Sequence, residues 1–260
     1  MKELSNGFKI PIFVMARLSS VRLPRKALLE INGKPIIEYV FDSLYKCENG
    51  SQIILLTSTN KEDDELCQWA DSKNVDVYRG PLNEVANRAL DAAMKYGFDS
   101  FVRISGDSPL INHRFVDHAI SLFNNHNYDL VTNIYPRTFP KGQSVEIIHT
   151  KTLSKILQKK ISVEENEHVT KFFYNNHDKF DILNFELNET LDELGQLRVE
   201  QLNVSNIQMS LDSRIDFENI GRVISLLNGI SAGNIEFKTL AEFFRNTLTQ
   251  IPSEKLSEIL

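Results

Sequence analysis

Ten residues near the start of the chain combine the side chains that bind phosphate. The segment 17–26 reads RLSSVRLPRK and places four cations and two hydroxyl groups close together. An apolar run of strand length, 10–16, comes directly before it, so the segment should follow the carboxyl end of a buried strand. Cations and hydroxyls there, with the N–H groups of a turn, can bind phosphate oxygens. This segment, the basic loop, therefore predicts a triphosphate site, although a solvated basic loop would share its composition.

The basic loop lacks the glycine patterns of the common phosphate-binding loops. It contains neither G-x-G-x-x-G, the dinucleotide fingerprint, nor G-x-x-x-x-G-K-[ST], the P-loop. The predicted phosphate site is therefore of another kind.

Two aspartates follow predicted strands further along the chain. Asp107 comes after the strand predicted at 100–105, and Asp212 comes after the strand predicted at 208–211. A doubly wound sheet can bring such strand ends together, and Mg²⁺ prefers carboxylates combined with phosphate oxygens. The pair therefore predicts a metal site, with a turn or a helix cap as the alternative for each residue. Asp216 is expected to be the N-cap of the helix that follows.

The elements that would position these residues alternate between strand and helix. Predicted strands cover 10–16, 53–57, 75–79, 100–105 and 128–133, and the helices between them cover 35–47, 63–73, 83–96 and 115–124. This alternation predicts an α/β fold with a doubly wound, mostly parallel sheet, whose ligands bind beyond the carboxyl ends of the strands.

From residue 143 on, the predicted order is less regular. Strands are predicted at 144–148 and 208–211, an extended stretch at 181–187, and helices at 152–159, 167–175, 216–227 and 239–248. The chain shows no internal repeat or low-complexity linker, so a single domain over 1–260 is expected.

The composition restricts the classes of protein to consider. The 260 residues are 42% hydrophobic and 25% charged, as expected for a folded, soluble protein. A formal net charge of −6 argues against a general binder of nucleic acid or of anionic membranes. The two cysteines, Cys47 and Cys67, form no metal-spaced cluster, so a reducing, cytoplasmic location is expected. The run 10–16 is too short to span a bilayer, and we expect no export signal.

The pattern R-x-x-S-x-R-L-P-x-K in the basic loop, followed by INGKP at 31–35, resembles the opening of the sugar cytidylyltransferases. The resemblance continues at Arg79-Gly80, RISGDSPL (103–110), 142–146, EHVT (167–170), and Leu211-Asp212 with Asp216. Similar enzymes are the 3-deoxy-manno-octulosonate, acylneuraminate and spore coat polysaccharide cytidylyltransferases. In one departure, Arg25 stands where the family usually has glycine before the motif lysine, and it would either add a phosphate contact or narrow the loop.

The resemblance implies a Rossmann-like fold of the nucleotidyltransferase or GT-A-like kind, and a particular reaction. A sugar hydroxyl would attack the α-phosphate of CTP, forming a CMP-sugar and releasing pyrophosphate, with Mg²⁺ as cofactor. The leading acceptor is an acidic 2-keto sugar of the octulosonate or nonulosonate type, used for surface polysaccharide. The alternatives are a nucleotidyltransferase that uses another NTP, a GT-A type glycosyltransferase, or a non-catalytic nucleotide-binding homologue. The absence of a clear D-x-D motif after a strand weighs against the glycosyltransferase.

The resemblance also implies roles for individual residues. It implies catalytic roles for Arg17, Lys26 and Asp107, nucleotide binding by Arg17, Ser20, Arg22, Lys26, Arg79 and Ser105, sugar binding by Lys141, Glu146 and His168, and metal binding by Asp107 and Asp212. A lone histidine in a helix is more often a surface or packed residue, which is the alternative for His168. The nucleotide-binding half is placed at about 8–136, sugar-binding and dimerisation elements at about 137–230, and C-terminal helices at 231–260. A homodimer is expected.

Overall fold

Strands and helices alternate through the first half of the chain, as predicted. A computed structural model describes residues 9–159, 161–195, 204–227, 229–230 and 232–249. The strands are β1 (Ile10–Met15), β2 (Glu30–Ile31), β3 (Lys34–Pro35), β4 (Gly50–Ser58), β5 (Asp76–Gly80), β6 (Ser100–Ser105), β7 (Leu130–Thr132), β8 (Glu146–His149) and β9 (Ile182–Asn184). The helices are α1 (Ile36–Leu44), α2 (Asp64–Ser72), α3 (Val85–Tyr96), α4 (His113–Asn125), α5 (Thr150–Leu157), α6 (Val163–Glu167), α7 (Lys171–Asn175), α8 (Leu187–Glu193), α9 (Arg214–Leu227) and α10 (Phe237–Thr249). Among these described helices, none is long and apolar enough to cross a membrane.

Seven of the strands form one sheet, which is doubly wound. They lie in the order β5-β4-β1-β6-β8-β7-β9, and β2 and β3 form a separate hairpin. Strand β8 is antiparallel to both of its neighbours, and every other neighbouring pair in the seven-stranded sheet is parallel. The predicted α/β fold with a Rossmann-like, mostly parallel sheet is thereby confirmed. The strand order reverses between β1 and β6, so their carboxyl ends form the switch point at which such sheets bind ligands.

Strand β1 is buried on both faces, which explains its continuous apolar sequence. Ile12 and Val14 pack into a core cluster with residues of α1, α4 and α9. Phe13 and Met15 point to the opposite face and pack with residues of α3 and α5. On that face Phe13 stacks on Phe101 of β6, with ring centroids 4.7 Å apart. Because both faces of the strand are covered, it is the loop after β1 that can meet a ligand.

The second half of the chain departs from the predicted elements in three places. The predicted strand 208–211 forms no named strand within the described residues and contributes an isolated bridge between Lys141 and Gln208. The predicted helix 167–175 is two short helices, α6 and α7, with a break between them. The predicted extended stretch 181–187 contains β9 but ends where α8 begins, and α8 was not predicted.

Helix α6 begins earlier than predicted because its first turn is capped locally. The Ser162 side chain accepts from the Glu165 N–H at 3.2 Å, and the Glu165 carboxylate accepts from the Ser162 N–H at 2.9 Å. This reciprocal arrangement is a capping box, and the S-x-x-E pattern at 162–165 is the sequence signal that would have located it.

Candidate functional site

A cavity of about 400 Å³ opens at the switch point, beyond the ends of β1 and β6. The basic loop forms one side of it, and the loop after β6, helix α3 and the end of α6 contribute the others. Residues predicted as site residues that line the cavity are Arg17, Ser20, Arg22, Lys26, Ser105, Asp107 and His168. Charged lining residues that the sequence analysis did not select are Arg88, Arg103 and Glu167.

Gly106 allows the loops after β1 and β6 to touch. Its N–H donates to the carbonyl oxygen of Met15 at 2.9 Å. A Cβ atom on Gly106 would lie 2.8 Å from the Cβ of Ala16, closer than two such carbon atoms can approach. A side chain at this position would therefore push the basic loop away from the Asp107 loop.

Lys26 connects the two aspartates that were predicted as a metal pair. Its Nζ contacts the carboxylate of Asp107 and lies 3.6 Å from Oδ1 of Asp212. Lys26 Nζ also donates to the carbonyl oxygen of Leu211 at 2.7 Å, and the Leu211 N–H donates to the Asp107 carbonyl oxygen at 2.9 Å. Ser105 Oγ donates to the other oxygen of the Asp107 carboxylate at 2.7 Å. The structure therefore brings Asp107 and Asp212 to one ammonium group from positions about a hundred residues apart in the chain.

The start of α9 corrects the role expected of Asp216. Ser213, not Asp216, is in the capping position, because its hydroxyl accepts from the Asp216 N–H at 3.3 Å. Asp216 lies in the first turn, where its Oδ2 accepts from the N–H groups of Ser213 at 2.8 Å and Asp212 at 3.1 Å. Capping at this helix thus uses Asp216 and Ser213, and the Asp212 carboxylate instead accepts from Arg22 Nη2 at 3.0 Å and from Gln208 Nε2 at 3.3 Å.

Each of the other two expected phosphate-binding cations is paired with a carboxylate. Arg17 Nη2 donates to Glu167 Oε1 at 2.8 Å, and Arg22 Nη2 donates to Asp212 Oδ1 at 3.0 Å. His168 comes directly after Glu167 and lines the same cavity. It lies at the break between α6 and α7 and not within a helix, which corrects the predicted setting of this residue.

A buried carboxylate that the sequence analysis did not select anchors the start of the basic loop. Asp63 is 1% exposed, and its Oδ1 accepts from the Leu18 N–H at 2.7 Å. Its other oxygen accepts from the N–H of Ser58 at 3.1 Å and contacts the Ser58 hydroxyl, at the end of β4. Asp63 therefore fixes the basic loop to the neighbouring strand, a function that no local sequence pattern indicates.

The Arg25 side chain is paired on the outer side of the basic loop, and the two functions considered from the sequence stay predictions. Its backbone is left-handed, with φ of 59°, which is the conformation that glycine adopts most easily. Its guanidinium forms a two-point ion pair with the Glu65 carboxylate of α2. The hydrogen bond and charge of Arg25 lower the pKa of Glu65. Arg25 is not among the described residues that line the cavity, so its side chain holds the outside of the basic loop to α2.

Arg88 is a buried cation on the wall of the cavity. Only 2% of the residue is exposed, and its Nη1 donates to the carbonyl oxygen of Pro81 at 2.7 Å. Its Nε has no hydrogen-bond partner among the described residues. Burial, together with the charge of Arg17, lowers the pKa of Arg88 to about 10. The guanidinium of Arg88 therefore has an unused donor beside the cavity.

Glu146 lies behind the cavity and not on its surface. It is fully buried, contacts the guanidinium of Arg103, and accepts from Thr170 Oγ1 and Tyr174 OH, each at 2.6 Å. Burial alone would raise the pKa of Glu146, but the charge of Arg103 and these hydrogen bonds outweigh it and lower the pKa. Arg103 lines the cavity and Glu146 does not, so the structure connects Glu146 to the cavity through Arg103, and direct contact of Glu146 with a sugar stays a prediction.

Two further predicted site residues lie elsewhere. Arg79 donates to Asp64 Oδ1 at 2.7 Å and to the carbonyl oxygens of Ser58 and Asn60 at 2.8 and 2.9 Å. Lys141 is exposed, and its backbone is bridged to Gln208. Neither is among the described residues that line the cavity, so direct contact of either one with a substrate stays a prediction.

The predicted metal site contains two carboxylates, and their arrangement fits a cation. Within the described ranges, no group of three or more histidine, cysteine, aspartate or glutamate residues could hold a metal ion. Asp107 and Asp212 nevertheless converge on one positive charge, the ammonium of Lys26. Mg²⁺ is commonly held by one or two carboxylates and completes its shell with phosphate oxygens and water, so this donor set suits a metal that arrives with a nucleotide.

A cation-lined cavity at the switch point of a mostly parallel sheet defines an α/β nucleotide-binding protein. Residues 12–223 match the family model for cytidylyltransferases, so the chain belongs to the cytidylyltransferase family. The resemblance seen in the sequence and the predicted enzyme class, a nucleotidyltransferase, are thereby confirmed.

Individual proteins show how far the similarity extends. An uncharacterized protein of Methanocaldococcus jannaschii is 29% identical over 82% of this chain and 86% of its own length. The 3-deoxy-manno-octulosonate cytidylyltransferase of Chlorobium chlorochromatii is 30% identical over 48% of this chain, and the match spans about half of that enzyme, 50%. The structure of a cytidylyltransferase from Leptospira borgpetersenii superposes with a TM-score of 0.81, at 26% identity, over 94% of this chain and 99% of that one.

Proposed function

We propose that this protein is a CTP-dependent sugar cytidylyltransferase that forms a CMP-sugar and releases pyrophosphate. The observation that carries the proposal is the position of Lys26, whose Nζ lies between the carboxylates of Asp107 and Asp212 at the switch point. A triphosphate in the cavity would meet the basic loop on one side and the two carboxylates on the other. Phosphoryl transfer requires both kinds of group, because cations position the phosphates and carboxylates hold a metal.

The contacts suggest how a nucleotide would be received. Arg17, Arg22 and Lys26 are each paired with a carboxylate, and phosphate oxygens can replace that carboxylate as the partner. When Lys26 moves to a phosphate, Asp107 and Asp212 are left to hold a divalent cation, for which we assign Mg²⁺. The metal would neutralise phosphate charge and polarise the α-phosphate for attack. The hydroxyl of Ser20 lines the same cavity and is assigned to the phosphates as well.

The acceptor side is assigned to the wall formed by Arg103 and His168. Arg103 is oriented by the buried carboxylate of Glu146, and His168 caps the C-terminal end of the short helix α6, next to Glu167. A guanidinium at this wall favours an acceptor that carries a carboxylate. An acidic 2-keto sugar of the octulosonate or nonulosonate type meets that requirement, and one similar enzyme is named for an octulosonate.

A pyrophosphate-release screen tests this function. CTP, UTP, GTP and ATP are each supplied with Mg²⁺ and a panel of 2-keto sugar acids, with neutral sugars as the matched control panel. We expect pyrophosphate release when CTP is combined with an acidic 2-keto sugar. Release with another nucleotide would contradict the CTP assignment, and tight CTP binding without release for any sugar would indicate a non-catalytic protein.

The wider biological assignment extends the same proposal. Synthesis of surface polysaccharide by a cytoplasmic homodimer is supported by the family resemblance and by two free thiols, Cys47 and Cys67. The division of the chain into nucleotide, sugar and C-terminal parts belongs to the same proposal. Sedimentation of the full chain measures the oligomeric state, and a monomer at micromolar concentration would contradict the dimer.

A further inference from the structure

The ion pair between Arg17 and Glu167 joins the two sides of the cavity. We propose that Glu167 is a positioning residue that holds Arg17 until the phosphates of the nucleotide displace it, and that this exchange releases the C-terminal end of helix α6, with His168, for the acceptor. The nucleotide would then have to bind before the sugar. The inference rests on the proposed function, because it requires a nucleotide in the cavity.

The pair is placed so that Glu167 and a phosphate compete for one guanidinium. Arg17 Nη2 donates to Glu167 Oε1 at 2.8 Å, and both residues line the cavity. The side chains are 34% and 39% exposed, so the pair is screened only in part by water. The contact uses one nitrogen of Arg17, whereas a phosphate can accept from two nitrogens at once. A bound triphosphate would also repel the nearby carboxylate, which favours the exchange further.

The C-terminal end of helix α6, at Glu167, is attached to the basic loop by this pair. The helix spans five residues, none of them buried, and its N-terminal capping box is exposed. Its other side-chain contacts hold its start and middle: Glu164 pairs with Lys171, Glu165 Oε1 accepts from Asn175 Nδ2 at 3.0 Å, and Asn166 Oδ1 accepts from the backbone and side-chain nitrogens of Asn87 at 3.4 and 3.3 Å. None of these contacts involves Glu167 or His168, so among the described contacts Arg17 is the polar side-chain attachment of the C-terminal end of α6.

The next helix, α7, is firmly anchored, so the break between the two helices can act as a hinge. Thr170 and Tyr174 donate to the buried carboxylate of Glu146, and Phe173 is fully buried. Release of Glu167 would therefore free the end of α6 and His168, while Glu164 and Glu165 keep the start of the helix attached to α7. His168 faces the cavity, so this movement changes the wall assigned to the acceptor.

The direction in which Glu167→Gln changes CTP affinity distinguishes competition with phosphate from a purely structural role of Glu167. If Glu167 competes with phosphate, Glu167→Gln removes the competitor and tightens CTP binding. If Glu167 only stabilises the fold, or contacts the metal or the sugar, the same variant leaves CTP binding unchanged or weaker. A partly exposed ion pair is worth up to about 1 kcal/mol, which corresponds to a gain in CTP affinity of about threefold to fivefold.

Calorimetric titration of the full chain with CTP and Mg²⁺ measures this effect. Glu164→Gln is the matched control, since Glu164 lies on the same helix and pairs with Lys171, outside the cavity. We expect tighter binding for Glu167→Gln and no change for Glu164→Gln. CTP binding to the wild type with equal or weaker binding to Glu167→Gln overturns the inference and leaves the proposed function intact. No CTP binding to any of the three proteins overturns the proposed function and the inference with it.

Amide hydrogen exchange gives an independent readout of the release of the end of α6. In the wild type, CTP with Mg²⁺ should increase exchange of the amides in 163–168, although ligand binding usually reduces exchange. In Glu167→Gln, those amides should exchange at the increased rate before CTP is added. Reduced exchange of 163–168 on CTP binding in the wild type would contradict the release.

Discussion

Gly80 lies so close to Arg88 that a Cβ atom on Gly80 would be 2.8 Å from Arg88 Cγ. The stem of Arg88 therefore packs directly on the end of β5, and the absence of a side chain at Gly80 lets the guanidinium reach the cavity. This contact gives a physical reason for glycine in the Arg79-Gly80 pair that the family resemblance includes.

Gly80→Ala should weaken CTP binding by displacing Arg88, by about tenfold if one charge-assisted hydrogen bond is lost. Titration with CTP measures the effect. Gly221→Ala is the matched control, because a Cβ atom there would meet its nearest neighbour at 3.7 Å, an ordinary contact. Equal CTP affinity of the two variants would show that Arg88 does not touch the nucleotide.

Lys26→Ala should lower kcat/KM for CTP by tenfold or more, because a charge-assisted contact to phosphate is worth roughly 1.5 to 3 kcal/mol. The variant also leaves the carboxylates of Asp107 and Asp212 without their shared cation. Circular dichroism should accompany the kinetics, with Lys46→Ala, an exposed lysine away from this cavity, as control. Wild-type kinetics in a folded Lys26→Ala protein would refute the phosphate contact.

Asp107→Asn and Asp212→Asn should each lower activity strongly and shift the Mg²⁺ dependence to higher concentration, because one negative ligand is lost while the shape is kept. Activity measured against Mg²⁺ concentration reports this shift. Asp216→Asn is the control, since Asp216 bonds to backbone N–H groups at the start of α9. It should lower stability by less than the loss of a whole cap, about 0.5 to 2 kcal/mol, because asparagine keeps an oxygen acceptor, and it should leave the Mg²⁺ curve unaltered. Unshifted Mg²⁺ curves for both site variants would exclude the metal pair.

Arg25→Gly and Arg25→Ala should differ in stability and agree in activity. Both variants lose the ion pair with Glu65. The backbone at residue 25 is left-handed, with φ of 59°, and this conformation is strained for alanine but not for glycine. The melting temperature of Arg25→Ala should therefore be lower than that of Arg25→Gly. Titration with CTP provides the control, because Arg25 is absent from the described cavity lining. A large loss of CTP affinity in both variants would mean that Arg25 contacts phosphate after all.

Tyr174→Phe should make the protein unfold at higher pH when it is acidified. Arg103 and the hydrogen bonds of Thr170 and Tyr174 outweigh burial and hold the pKa of Glu146 below its usual 4.5. A carboxyl group with a lowered pKa stabilises the fold above its unfolded-state pKa, and that stability is lost as pH falls through the folded-state value. Removing the Tyr174 hydroxyl raises the folded-state pKa, so the stabilisation shrinks and is lost earlier. Acid titration followed by tryptophan fluorescence measures the midpoint, with Tyr45→Phe, 59% exposed, as control.

Local patterns in the sequence determined the sheet and much of the cavity. The apolar run before the basic loop becomes β1, because a strand covered on both faces needs continuous apolar residues, and the strand predicted at 100–105, before Asp107, becomes β6. Once these strands are parallel neighbours, their carboxyl ends must meet, and so Lys26 and Asp107 come together. Hydrophobic periodicity and the family motifs were enough to predict this part of the cavity, because the position of each site residue depends on the strand that precedes it in the chain.

Only the tertiary structure decided which side chains face the cavity and which are turned away. Arg17 and Glu167 are 150 residues apart, and Arg22 and Asp212 are 190 apart, so no local pattern could pair them. Arg88 enters the cavity because helix α3 packs on Gly80, whereas Arg79, one residue before that glycine, turns to Asp64. Glu146 lies behind Arg103 because a buried carboxylate needs a cation and hydrogen-bond donors. These partners come from separate elements of the fold. Such partnerships arise from packing between distant segments, which the order of residues does not reveal.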